Sequence, residues 1–323
     1  MTKPLDLRAG DITDLPPQAP QFEQSYHHWS EAEIDALTLA HAARRPLLVR
    51  GEPGIGKTQI ARAIAVHWDW MLHAVTIHPR YEPQHLIARL DAVRRLADAQ
   101  SRSLQPDHQY WTPGPIWCAF DWQGAQPFLR GANAVLGSPA DPKGHVILID
   151  EIDKADSDLP NGLLELLGQR AFEFAPLGLK LGGPGTPLPL VIITSNDERD
   201  LPAAFVRRCV VLNLAATGNY QEWLIERGRV HYQYEGRRLD EAVLLQAARQ
   251  LVDDREKMEK ASLAPPGAAE YLDLLAAVHE LAPGNTVEQM RLLNKLSRYV
   301  FVKHSDKSSP LQQDRPALEP GAG

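Results

Sequence analysis

Three glycines, Gly51, Gly54 and Gly56, crowd in front of Lys57 and Thr58 in the stretch VRGEPGIGKTQIARAIA, residues 49–65. The spacing Gly51-x-x-x-x-Gly56-Lys57-Thr58 fits a phosphate-binding loop in full. Glycine lets a backbone take positive φ and come close to an anion. Successive N–H groups at the start of the following helix then point at phosphate oxygens. On this reading the loop from Gly51 through Glu52, Pro53, Gly54, Ile55, Gly56, Lys57 and Thr58 to Gln59 holds a nucleotide. Lys57 reaches the β- and γ-phosphates, and the Thr58 hydroxyl ligates Mg²⁺. A glycine turn that happens to contain a lysine is the plainer reading. The context argues against it, because the strand-like PLLVR precedes the loop and the helix-like TQIARAIAVHW follows.

A phosphate loop needs acids opposite it, and HVILIDEID supplies them. An apolar strand buried on both faces would deliver Asp150 and Glu151 at its C-terminal end, where open α/β sheets bind ligands. Asp150 suits a magnesium role, direct or through water, and Glu151 suits polarisation of an attacking water. Further on, LVIITSN places Asn196 at another strand end, where its amide could hold the water or the γ-phosphate. A plain turn residue is the alternative for an asparagine there.

These residues need a parallel sheet to position them. Five short apolar runs, PLLVR (46–50), HAVTI (73–77), HVILI (145–149), LVIIT (190–194) and VVLNL (210–214), alternate with helical segments. Near-continuous apolar strands separated by helices predict an α/β fold with a mostly parallel five-stranded sheet covered on both faces. Ser30 with Glu33 three places on predicts a capped helix start. Residues 220–303 show helical spacing only, with Tyr271, Leu274, Leu275 and Val278 on one face and Leu292, Leu296, Tyr299 and Val300 on another. The expected organisation is an N-terminal arm (1–24), a nucleotide-binding α/β domain (25–216), a small all-helical lid domain (217–303) and a disordered tail (304–323).

Composition narrows the function classes. The chain has 323 residues and a formal net charge of −7, which disfavours nucleic acid and anionic membranes as default partners. Its two cysteines, Cys118 and Cys209, form no Cys-x-x-Cys pair, so neither a disulfide framework nor a zinc knuckle is expected. No apolar run is long enough to span a membrane, and the first twenty residues carry acids and prolines instead of a signal-peptide core. A cytoplasmic protein is expected. The histidines lack ligand spacing, and adjacent His27 and His28 are read as surface residues. In DEIDKADSD, Asp153, Asp156 and Asp158 are read as caps or solvated acids. GLLELLGQRAFEF, 162–174, reads as an amphipathic helix and a short strand.

The motif order GEPGIGKT, HVILIDE, VIITSN and LPAAFVRRC resembles an AAA+ ATPase and, within that superfamily, is similar to the MoxR group over about residues 25–300. The resemblance implies that Lys57 and Thr58 belong to Walker A, Asp150 and Glu151 to Walker B, and Asn196 to the sensor-1 position. It implies that Arg208 is the arginine finger inserted across a ring interface. Arg207 is the lesser candidate, and a plain cation at a helix C-terminus is the alternative. YWTPGPIWCAF, 110–120, and LGGPGTPLP, 181–189, resemble MoxR-like segments that face a client or partner; ordinary packed loops are the alternative. One departure stands out: Glu288 occupies the usual sensor-2 arginine position, with Arg291 one helical turn later as a possible substitute. The resemblance implies an ATP- and Mg²⁺-dependent motor or chaperone in a homo-oligomeric ring, expected to be a hexamer. Its expected partner is a von Willebrand factor A domain protein, in the setting of a bacterial conflict or signalling module. An ATP-controlled switch or scaffold is the second reading, and a DNA-acting motor a third.

Overall fold

The computed structural model describes residues 6–18, 22–129, 141–156, 159–163, 171–183, 185–216, 218–232 and 239–301. The expected C-terminal tail, Asp158 and the middle of GLLELLGQRAFEF lie outside them. Two compact units divide the chain: Met1–Gly51 with Gly56–Leu214, and Glu52–Ile55 with Ala215–Gly323.

The first unit is built on a five-stranded sheet from β3 (Leu47–Arg50), β4 (Met71–Thr76), β7 (His145–Asp150), β10 (Leu190–Ser195) and β11 (Val210–Asn213). Its order is β11-β3-β10-β7-β4, and every pairing is parallel. Alternation along each strand explains the burial of both faces. Leu48, Ile147, Ile149, Val191 and Ile193 join one core cluster, while their neighbours Leu47, Val49, Val146, Leu148 and Ile192 join another. Each fully buried Leu, Ile or Val removes apolar area worth about 1.5–3 kcal/mol from water. The second cluster is covered by α1 (Glu31–Ala43), through Leu37 and Ala40, and by α2 (Lys57–Trp68), through Ile60, Ala61, Ala63 and Ile64. Ser30 and Glu33 form the expected capping box at the start of α1.

The N-terminal segment departs from the expected arm. β1 (Ile12–Leu15) pairs antiparallel with β2 (Ser25–His28), and Leu15 is buried. The anchor is Arg62 of α2, whose guanidinium donates to Pro16 O, Glu23 O, Ser25 Oγ and Gln59 Oε1 at 2.9–3.1 Å. The same group lies 4.7 Å from the centre of the Phe22 ring. His27 departs too: it is only 2% exposed, set against Glu33 at 3.6 Å and edge-on to Trp29. The proximity of two histidines in sequence gave no hint that one of them turns into the core.

Between β4 and β7 the chain forms β5 (Ala88–Leu90), α3 (Ala92–Gln100), β6 (Trp111–Pro113) and α4 (Pro115–Phe120), with β5 and β6 antiparallel. The Pro-Gly-Pro segment is a packed loop. Gly114 donates its N–H to Ile87 O at 2.7 Å, and a Cβ there would sit 2.4 Å from His85 O. Ile116, Trp117 and Cys118 are buried behind it. By contrast, α3 buries none of its residues, and Val93 and Leu96 are 80% and 61% exposed. A second hairpin, β8 (Ala171–Phe174) with β9 (Leu179–Gly182), precedes β10 and buries Phe172, Phe174 and Leu181.

In the second unit, α6 (Tyr220–Tyr232), α7 (Glu241–Lys260), α8 (Ala268–Leu281) and α9 (Thr286–Val300) follow a short helix of the first unit, α5 (Ala203–Val206). Tyr271, Leu274, Leu275 and Val278 are buried as their spacing predicts, and the Tyr271 hydroxyl donates to Leu244 O at 3.2 Å. The inward line of α9 differs from expectation. It runs through Gln289, Leu293 and Ser297, while Tyr299 is 67% exposed. Polar Gln289 and Ser297 hid this face from a hydrophobicity pattern; Gln289 is accommodated by donating to Ala282 O at 2.9 Å. The loop residues Glu52–Ile55 group with these helices, where Arg255 donates to Glu52 Oε1 at 2.7 Å.

Candidate nucleotide site

The site is assembled at the C-terminal ends of three adjacent strands, β3, β10 and β7. Register brings Ser195 level with Arg50, and Ile193 level with both Leu48 and Ile149, so the residues that follow meet at one edge. Gly51 (φ 152°) and Gly56 (φ 108°) carry the chain from β3 into α2 through backbone angles that glycine adopts without strain. Gly56 leaves the first turn of α2 without a side-chain cap. The Gln59 N–H of that turn donates to Gly56 O at 3.0 Å, and the N-terminal end of a helix is electrostatically suited to an anion.

Lys57 opens α2, is buried, and donates from Nζ to Gly51 O at 2.7 Å. Burial pulls its ammonium below the ordinary lysine range, while Asp150, Asp153, Asp197 and Glu151 act in the opposite direction. Thr58 Oγ1 donates to Asp150 at 3.1 Å and 3.2 Å, to its two carboxylate oxygens. The Thr194 hydroxyl of β10 also donates to Asp150, and its oxygen accepts the Glu151 N–H at 2.9 Å. Burial pushes the Asp150 carboxyl above its ordinary value; the hydroxyls of Thr194 and Thr58 pull it down, and the Glu151 charge adds to the rise. Bringing a divalent cation to this carboxylate would favour its charged form. The hydroxyl and carboxylate oxygens of Thr58 and Asp150 are the hard donors that Mg²⁺ takes alongside phosphate and water.

Glu151 adopts φ 60° at the strand end, and its Oε2 is held by Lys154 Nζ at 2.7 Å. Asn196 directly follows β10, with its N–H donated to Asp153. Gln59 follows the loop, but its side chain accepts from Arg62 and Ser25, on the side of the N-terminal strands. Arg208 and Arg207 are exposed between α5 and β11, and among the described residues neither makes the contacts that join Lys57, Thr58 and Asp150. Arg291 lies in the helical unit, exposed, donating to both carboxylate oxygens of Glu288, at 2.8 Å to Oε2 and 2.6 Å to Oε1.

Two participants were not singled out from the sequence. Thr194 reads as an ordinary β-branched strand residue, yet the register with β7 sets it beside Asp150. Asp153 reads as a solvated acid or cap, yet it is 2% exposed and accepts two backbone N–H groups. Asp156, by contrast, is exposed, 4.0 Å from Arg199.

The family model for the AAA domain (dynein-related subfamily) matches residues 46–209, just over half of the chain. The chain belongs to this AAA family. It is an AAA+ ATPase, and the matched segment contains both the glycine-rich loop between β3 and α2 and the acids Asp150 and Glu151 at the end of β7. Among solved structures, the AAA protein is similar to a candidate ATPase from Cytophaga hutchinsonii, at 15% identity and a TM-score of 0.41, covering 83% of this chain and 79% of that one. It is also similar to the Holliday junction branch migration motor RuvB from Thermotoga maritima, at 15% identity and a TM-score of 0.45, covering 83% and 70%. No curated protein matches the AAA chain. Among the described residues, no helix is long and apolar enough to cross a membrane.

Proposed function

We propose that this AAA+ ATPase hydrolyses Mg²⁺-ATP and uses the cycle to remodel or activate a partner protein. The observation that carries the reading is the junction of Thr58, Asp150 and Thr194 beside Lys57. It joins the phosphate loop, the acidic strand end and the neighbouring strand through hydroxyl–carboxylate bonds. Lys57 and the loop N–H groups bind the phosphates, Thr58 and Asp150 hold Mg²⁺, Glu151 polarises water, and Asn196 positions it.

AAA+ ATPases commonly assemble as rings, and the exposed Arg208 fits a finger that completes a neighbour's site. A MoxR-like assignment, with a von Willebrand factor A domain partner in a cytoplasmic conflict or signalling module, is supported by motif order. The β5–β6 segment and the β8–β9 hairpin before β10 support it as well. The exposed apolar side chains of α3, Val93 and Leu96, offer a surface for such a partner.

The second reading, an ATP-controlled switch with little turnover, draws on two ion pairs. Lys154 holds Glu151, and Glu288 occupies Arg291. One comparison separates the readings. Lys57→Ala is expected to abolish ATP binding, and Glu151→Gln to keep binding while abolishing turnover. Partner capture and particle size are then measured for Glu151→Gln with ATP. A monomer without a partner under those conditions defeats the ring-remodelling reading, and a Glu151→Gln protein that keeps full biological function supports the switch.

A further inference from the structure

Asp153 is buried in the first unit without belonging to either apolar cluster, and both of its carboxylate oxygens accept from backbone N–H groups. It sits in the short turn Ile152–Lys154 that immediately follows Glu151. Its oxygens accept from Asn196 N at 3.2 Å and 3.1 Å, and Oδ2 accepts from Glu198 N at 3.0 Å. Between those two N–H groups lies Asp197, at φ 56°, a conformation that a non-glycine residue holds only when its surroundings enforce it. Glu151, on the other side, has φ 60°. Two unfavourable backbone positions therefore flank one buried carboxylate, and Asn196 and Glu151 are displayed from the two turns it links.

We propose that Asp153 is a positioning residue for hydrolysis: it locks the turn after β10 to the turn after β7 and so sets where the Asn196 amide stands relative to Glu151. The inference rests on the reading of Asn196 and Glu151 as the water-handling pair. A buried carboxylate accepting two N–H groups is stiffer than a solvated asparagine turn, because the bonds are charge-assisted and do not exchange with water. Lys154, next in the same turn, then has its reach to Glu151 fixed by the same lock.

The test is steady-state ATP turnover by the full chain carrying Asp153→Asn or Asp153→Ala, each on the wild-type and the Asn196→Ala background. Nucleotide affinity is measured in parallel with a fluorescent ATP analogue, and Glu151→Gln is the control. Asp153→Ala is expected to lower kcat about tenfold or more while KM and analogue affinity stay within about threefold. Asp153→Asn keeps an acceptor oxygen for these N–H groups and is expected to fall in between. On the Asn196→Ala background either change should add little, since the residue it positions is already gone.

Unchanged kcat in both variants overturns the proposal. So do losses that multiply with that of Asn196→Ala, or an effect confined to nucleotide affinity, which would assign Asp153 to the charge around Lys57 instead. If Asp153→Ala fails to fold, Asp153→Asn carries the same comparison. Full turnover by Glu151→Gln and Asn196→Ala would overturn the underlying site reading, a result distinguishable from failure of Asp153 alone.

Discussion

Thr194 shows how much of this site depends on one hydroxyl. It is fully buried, donates to Asp150 and accepts from Glu151 N, so it holds the two acids at a fixed offset. Replacement by valine keeps the shape but leaves the Glu151 N–H without this acceptor and removes a donor from the half-buried Asp150 carboxylate. Thr194→Val is expected to cost about 1–3 kcal/mol of stability in denaturant unfolding. Its kcat is expected to fall more than its nucleotide affinity, because the acids move while the phosphate loop does not. A Thr194→Val protein with wild-type stability and turnover would show that the hydroxyl only fills space. At this scale the sequence was half legible. Lys57, Thr58, Asp150 and Glu151 announce themselves by spacing, whereas Thr194 and Asp153 become visible only when β7 and β10 are laid in register.

The paired strands carry a second consequence, at the level of elements. His73 on β4 and His145 on β7 stack, with Nε2 of one 2.9 Å from Nδ1 of the other, beside Trp122. Burial, and then the charge of His145, pulls His73 from 6.5 to about 3, and burial also lowers His145. A histidine with a depressed folded pKa binds fewer protons folded than unfolded. Its contribution is therefore intact above the unfolded value near 6.5 and is lost as pH falls toward 3. The unit is expected to lose stability, read as a falling Tm, as pH drops from about 6.5 toward about 3, at up to about 1.4 kcal/mol per pH unit for His73. His73→Asn should flatten that slope while lowering Tm at neutral pH, and an unchanged slope would place the acid sensitivity elsewhere. The five strands themselves were legible from their apolar runs. The β1–β2 hairpin was not, because it is short, polar on one side and held by the guanidinium of Arg62 rather than by a pattern of its own.

For the whole molecule, the decisive question is whether one chain completes another's site. Arg208 is exposed, as the proposed role of a group donated to a neighbour requires. Arg208→Ala is expected to bind ATP normally and turn it over slowly. Mixing it with Glu151→Gln, inactive for a different reason, should restore part of the turnover, since some interfaces then combine an intact Glu151 with an intact Arg208. No recovery in the mixture, with both variants folded and oligomeric, would remove Arg208 from the reaction.

The sequence by itself determined the α/β class, the strands of the parallel sheet, the phosphate loop and the acidic strand end. Each of these is written in local spacing: alternation, glycine placement, and a charge after an apolar run. Tertiary structure decided what binds those parts together. Parallel register chose Thr194 as the partner of Asp150, burial turned Asp153 from a surface acid into a backbone acceptor, and Arg62 converted an apparent arm into a hairpin. These depend on which distant strand ends meet, and a linear chain carries no local signal for that.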